Sequence, residues 1–301
     1  MRFATAREGY WSPEERAAYA REIAEAVRRV NRLEGETLGQ VRDLLEAVRA
    51  QTIERLVWAQ TKADAGGSTY DLARLGQLQQ EIDRAFLELR LRFPQMAADS
   101  ALSMANLAAE VADVPVRLVT GAMNRAPTEL PTFGLSRSLA SASAQVQASL
   151  VTRVTQETIR KISNEVSLGA TGLKTPFEVM QAVGANLDDP SIFGTIARRA
   201  EVITRTELGR VQSVAGQARY EEAAAAGVAG LQKQWVHEGH AVKPRPGHVA
   251  AHGQVVGVHE PFIVEGERLM FPRDPAGSPG NTINCGCGSY PYIEGLSEGL
   301  G

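Results

Sequence analysis

The chain has 301 residues, 44% of them hydrophobic and 22% charged, and a net charge of −3. This is ordinary soluble-protein composition, long enough for two domains and a sizeable core, and the charge excludes a chain that binds DNA as one broad cationic surface. Two cysteines exclude a disulfide framework and suit a reducing cytoplasm at synthesis; the first twenty residues have no apolar run of signal-peptide type, and no window approaches the ~18–20 apolar residues of a membrane span, so no membrane partner is expected.

Ser12-Pro13-Glu14-Glu15 is a helix start, with Ser at the N-cap, Pro at N1 and Glu at N3. Apolar residues at helical spacing carry this helix from Tyr19 through Ile23, Val27 and Val30 to about Glu34. A second helix is expected from Leu38 to Val57, stopping at Gly66-Gly67. A third runs from Ser68 and ends before Pro94; a weaker fourth covers about Gln95 to Ala112, and a short one begins near Pro115. Amphipathic helices of this length read as an antiparallel bundle.

Residues 123–150 are poor in charge and rich in Ser and Ala. Their Pro-containing first part reads as a loop, and a long helix follows from about Ser136 to Leu168. Its small-residue face, Ser138 to Ala148, suits close packing in its own domain or against another subunit. Arg137, Arg153, Arg160 and Lys161 lie in an acid-poor window, so weak sequence-independent binding to double-stranded DNA is an expectation. Gly169 to Gly172 ends that helix; Thr175-Pro176-Phe177-Glu178 opens a short one, and Asp188-Asp189-Pro190 opens the last long one, closed by Gly227. Arg205 and Glu207 sit mid-helix two residues apart, so they cannot face one another.

From Leu231 the apolar period shortens toward two, a strand signal. Val255 to Val258 and Phe262 to Val264 predict two more strands, and Gly266-Glu267 turns the chain into a hairpin partner at Leu269 to Phe271. All five histidines (His237, His240, His248, His252 and His259) and both cysteines, Cys285 and Cys287, fall within 232–291. Such residues are zinc ligands, and His248 and His252, four apart, share a face if that stretch is helical. No Cys-x-x-Cys knuckle, HExxH set or phosphate loop is present. A nucleophile has no recognisable elbow, although Cys285 beside His248 would make a thiolate pair.

The same stretch resembles the C-terminal domain of phage head morphogenesis proteins, the Mu F-like minor head family. The resemblance rests on an ordered set: Arg205-Thr206-Glu207, Lys233-Gln234-Trp235, Arg245-Pro246-Gly247-His248, Gly253, Phe262, Pro272-Arg273-Asp274-Pro275 and Asn284-Cys285-Gly286-Cys287. It covers about residues 198–290. His240 and His252 occupy neighbourhoods where the family often has acids. The resemblance implies a non-enzymatic minor virion protein attached to the portal protein or the inner capsid protein shell. It thus implies a place in the virion near the portal vertex after assembly in the host cytoplasm.

The expected architecture is mainly α, a long-helix N-terminal bundle plus a C-terminal α+β module with a small antiparallel sheet. It divides into residues 1–125 (bundle), 126–187 (linker and long helix) and 188–301 (module). Deleting residues 1–120 is expected to leave the module folded. The expected role is head morphogenesis, with packaged DNA as a secondary neighbour and a homo-oligomer on the portal. The alternative is a metal-dependent, nucleic-acid-processing enzyme of the virion. Arg245, His248, Cys285 and Cys287 are expected to converge, in one of two ways. In one, His248, Cys285, Cys287 and His252 hold zinc. In the other, Arg245 and His248 hydrogen-bond carbonyls around the cysteine turn with no cofactor. The second is preferred here because the Cys-x-Cys bite is unusual for tetrahedral zinc.

Overall fold

The computed structural model describes residues 11–62, 68–70, 74–122, 135–228, 230–238 and 244–297. The expected turn at Gly66-Gly67, the loop after Met123 and His240 lie outside the described residues. Within them the chain is mainly helical with a small antiparallel sheet near its C-terminal end. The helices are α1 (Pro13–Trp58), α2 (Leu75–Ala122), α3 (Leu135–Ala170), α4 (Pro176–Val183), α5 (Ile192–Ala225), α6 (Pro246–Ala250) and α7 (Pro279–Thr282). The strands are β1 (Gln60–Lys62), β2 (Ser68–Tyr70), β3 (Gln232–His237), β4 (Val255–Gly257), β5 (Phe262–Val264), β6 (Glu267–Leu269) and β7 (Cys287–Tyr292).

Where the sequence signals a stop, two helices run on. α1 passes through Gly35 and Gly39, and α2 absorbs the expected third, fourth and fifth helices, Pro94 and Pro115 included. A helical Gly costs about 1 kcal/mol against Ala, and an interior Pro about 3 kcal/mol and one hydrogen bond. Those costs are offset by side chains that stay buried on both sides of each breaker: Val30 and Val41 around the glycines, Phe93 and Ala97 around Pro94. Neither Gly35 nor Gly39 takes the positive φ that a C-cap would need.

Other starts follow their chemistry. Ser12 and Glu15 exchange backbone bonds, Glu15 N to Ser12 Oγ at 3.2 Å and Ser12 N to Glu15 Oε2 at 2.8 Å. Thr175 and Glu178 form the same capping box on α4. α5 starts later than the Asp188-Asp189-Pro190 signal, because Ser191 supplies the cap, accepting from Gly194 N at 3.2 Å.

The chain forms two compact units, each drawn from separate stretches. The unit of residues 36–98 and 144–204 is helical apart from the short β1·β2 pair. Its core holds Leu45, Ile82, Phe86, Phe93, Ile162, Val179 and Phe193, with Phe86 and Phe193 stacked at 5.8 Å.

The other unit, residues 1–35, 99–143 and 205–301, carries the sheet. β3 lies between β4 and β7, antiparallel to both, and β5 pairs with β6 as a hairpin. Alternation buries Lys233 and Trp235 of β3. One core joins Tyr19, Ile23 and Ala26 of α1 and Val111, Ala112 and Val114 of α2 to Tyr220, Leu231, Val258, Tyr290, Ile293 and Leu296. Tyr19 donates to the Pro291 carbonyl and Tyr220 to that of Ser289. Arg219 grips Asp113 with Nε at 2.6 Å and Nη2 at 3.1 Å. The sheet is therefore sealed by the first turns of α1.

Candidate His-Cys centre

A second, smaller core lies inside the sheet-bearing unit: Trp235, Ala251, Phe262, Val264, Leu269, Cys285 and Cys287. The cysteine turn is built from both sides. Asn284 takes a left-handed φ of 52°, which Asn tolerates better than most residues, and its N–H donates to Thr206 Oγ1 on α5 at 2.9 Å. Beyond it the strand ladder already begins, since Glu238 N donates to Gly286 O at 3.1 Å. In such a segment residues two apart share a side, which brings the two sulfurs together. Across the ladder, Cys287 is the register partner of His237.

His248 arrives from α6, whose first turn is set by Pro246 at N1. A Cβ on Gly247 would lie 1.9 Å from Glu265 Cγ, so any larger residue there displaces the glutamate side chain that accepts the Gly247 N–H. His248 Nδ1 lies 3.4 Å from Cys285 Sγ and 3.5 Å from Cys287 Sγ, and its Nε2 lies 3.2 Å from Asn281 Oδ1 on α7. The ring also meets Trp235 edge-on at 5.8 Å. His237 Nδ1 is 3.6 Å from Cys287 Sγ. The ligand atoms of His248, Cys285 and Cys287 all fall within 4.8 Å of one another, and all three residues are buried.

His252, the expected fourth ligand, stands elsewhere. α6 ends at Ala250 and Gly253 turns the chain with a φ of 81°, so the four-residue spacing never becomes a shared helical face. His252 Nδ1 accepts the His237 amide at 3.0 Å instead. The sequence signal that would have found His237 is its strand alternation combined with the pairing of β3 and β7, and that pairing is not visible in a single stretch.

The electrostatics favour one thiolate. Cys285 is pushed down to about 4, chiefly by the hydrogen bond from Cys287, against its burial, and further by His248 and the Arg273 charge. Cys287 moves up, because its proton is the one shared with Cys285 and because it is buried. Burial lowers His248, but the bond and charge of Cys285 outweigh it, and the net shift is upward.

The remaining motif residues brace this centre. Arg245 Nη2 donates to the Ile283 carbonyl at 2.6 Å. Arg273, buried and with a φ of 65°, donates from Nη1 to the carbonyls of Cys287 at 3.0 Å and Gly209 at 3.3 Å. A Cβ on Gly209 would meet that guanidinium at 2.1 Å. Asp274 closes its turn by accepting Met270 N at 2.7 Å and Ala276 N at 2.9 Å. Gly253 N donates to Trp235 O at 2.8 Å. Arg205 pairs with Glu34 at 2.8 Å and Glu207 with Arg210, so the two reach different neighbours.

Residues 140–289 match the family described as Phage Mu protein F like protein. That segment is a Phage Mu F-like domain. All the residues of the His-Cys centre fall inside the matched segment. Two curated proteins are similar: the uncharacterized protein YqbB of Bacillus subtilis, 34% identical over 105 residues, and NAD(+)--arginine ADP-ribosyltransferase EFV of Enterococcus faecalis, also 34% identical over 105 residues. The aligned part is 34% of this chain, 33% of YqbB and 20% of EFV. No solved structure gives a significant match.

Arg153, Arg160 and Lys161 are exposed on α3 in the helical unit, and Lys161 stands 3.5 Å from Glu157, which also pairs with Arg199. Arg137 lies on the first turn of α3. Among the described residues no helix is long and apolar enough to cross a membrane.

Proposed function

We propose that this chain is a minor head protein of a phage virion that acts in head morphogenesis while bound at the portal, next to the inner capsid surface. The observation that carries this reading is the family match over residues 140–289. The sheet-bearing unit supplies a rigid folded module, and the long helices, residues 12–113 and 136–168, are the surfaces offered to the portal and to further copies. Leu91 on α2 and Val146 on α3 are large apolar side chains left exposed there. Packaged double-stranded DNA is a secondary neighbour, met through Arg153, Arg160 and Lys161.

A structural role fits the His-Cys centre better than catalysis. A hydrolytic metal needs an open position that substrate can reach, and Cys285, Cys287 and His248 are each 2% exposed or less. The transferase activity in the name of the enterococcal protein belongs to a chain of which the shared part is one fifth, so it gives no reading for this one.

Cross-linking mass spectrometry on intact purified virions, with a carboxylate-reactive reagent suited to a chain that has 35 acidic residues, tests the proposal. The expected result is a fixed copy number per particle and cross-links from α1, α2 or α3 to the portal subunit. Absence from purified particles, or cross-links confined to proteins other than the portal, would overturn it.

A further inference from the structure

We propose that Cys285, Cys287, His248 and His237 form a structural zinc site of the Cys2His2 kind, with His237 rather than His252 as the fourth ligand. In a tetrahedral zinc site with bonds of about 2.3 Å to sulfur and 2.05 Å to nitrogen, each S···N edge is about 3.5 Å. The three S···N separations here are 3.4, 3.5 and 3.6 Å. The metal-free tie preferred from the sequence rested on the awkward bite of Cys-x-Cys. In the fold that bite is no tight ring: the two sulfurs hang from one side of an extended segment and address the same imidazole nitrogen.

Hydrogen bonding alone uses the two sulfurs unequally. With Asn281 Oδ1 as acceptor, His248 Nε2 carries the ring proton and Nδ1 presents a bare lone pair. One lone pair takes one S–H, yet two sulfurs sit at the same distance from it. A cation among them uses the lone pair and both sulfurs at once. The Asn281 contact is then the outer bond that fixes a metal-binding imidazole's tautomer and orientation. Two thiolates, two neutral imidazoles and Zn²⁺ sum to zero charge, so burial carries no net-charge penalty. Donors surround the sulfurs: the Trp235 indole N–H is buried without a hydrogen-bond partner, and Arg273 holds the Cys287 carbonyl.

The ligands also staple what needs stapling. They come from β3, α6 and the start of β7, around a core of seven buried residues among those described. A module with so little apolar content gains folding energy from a metal. His248, Cys285 and Cys287 are preformed; His237, half-buried at the edge, closes the set by swinging its ring from Cys287 toward Cys285. The ion is structural, because no ligand faces solvent except this last one.

The test uses the full chain, without a histidine tag, purified under reductant with zinc supplied. The expected result is one zinc per chain surviving dialysis. Cobalt loaded into chelator-stripped protein should give the sulfur-to-cobalt charge-transfer band and the intense visible bands of a tetrahedral ion. His237→Ala should bind at least about 10-fold more weakly and lose visible-band intensity as water enters. Cys285→Ser and Cys287→Ser should each lower the charge-transfer band; if either fails to fold, its intensity in the unaltered chain still counts the thiolates. Substoichiometric zinc together with no charge-transfer band on cobalt titration would overturn the site. Unchanged affinity and spectrum in His237→Ala, with His252→Ala losing both, would overturn the ligand assignment.

Discussion

Lys233 should give the sheet-bearing unit an unusual alkaline gain in stability. Its side chain is fully buried, donating to Gln217 Oε1 at 3.0 Å and Met270 O at 2.7 Å, with the ammonium 5.2 Å from the centre of the Phe262 ring. Burial pushes it down from 10.5 to about 8, against the pull of Glu221, Asp274 and Glu260. That lowering means that holding the charge near neutral pH costs about 3 kcal/mol. The cost is fully present below pH 8. Between about pH 8 and 10.5 the folded lysine gives up its proton while the unfolded one keeps it, so the unfolded state binds more protons and stability rises with pH. The neutral amine keeps two N–H donors, enough for both acceptors. Urea unfolding of a Trp58→Phe background, read by Trp11 and Trp235 fluorescence, would be compared with the same protein carrying Lys233→Met. The stability difference should shift in favour of Lys233 by about 2 to 3 kcal/mol from pH 7.5 to 10.5, since groups distant from Lys233 cancel in the subtraction. A difference that stays flat across that window would refute the reasoning.

Asp274→Ala should cost about 2 to 3 kcal/mol, because two backbone N–H groups lose a nearly buried charged acceptor. Thermal melting at saturating zinc measures it, and a loss under ~0.5 kcal/mol, the scatter of ordinary surface changes, would mean water replaces the carboxylate. Deleting residues 1–120 removes Tyr19, Ile23, Ala26, Val111, Ala112 and Val114 from the core that seals the sheet. The remainder should show collapsed amide dispersion and no cooperative melt, whereas a sharp melt would show that the sheet stands without α1. Duplex DNA binding should weaken steeply as salt rises, and replacing Arg153, Arg160 and Lys161 by Gln should make the log–log slope shallower by up to about 3. An affinity that salt leaves unchanged would remove DNA from the partners proposed here.

What depends on neighbours along the chain was legible in the residues alone. The capping boxes at Ser12 and Thr175, the long apolar stripes, the change to a two-residue period at Leu231 and the hairpin turn at Gly266 are local chemistry, and each element appears near its signal. So did the ordered motif from Arg205 to Cys287 that marks the Mu F-like family. Tertiary structure decided where local signals lost to burial. The expected breaks after Glu34 and before Pro94 do not occur: α1 and α2 continue because the apolar side chains on either side of them remain in their cores. It also decided the composition of the His-Cys centre. His252 had the better spacing from His248, but a five-residue α6 denies it the shared face. His237 reaches Cys287 only because β3 and β7, fifty residues apart, pair in register.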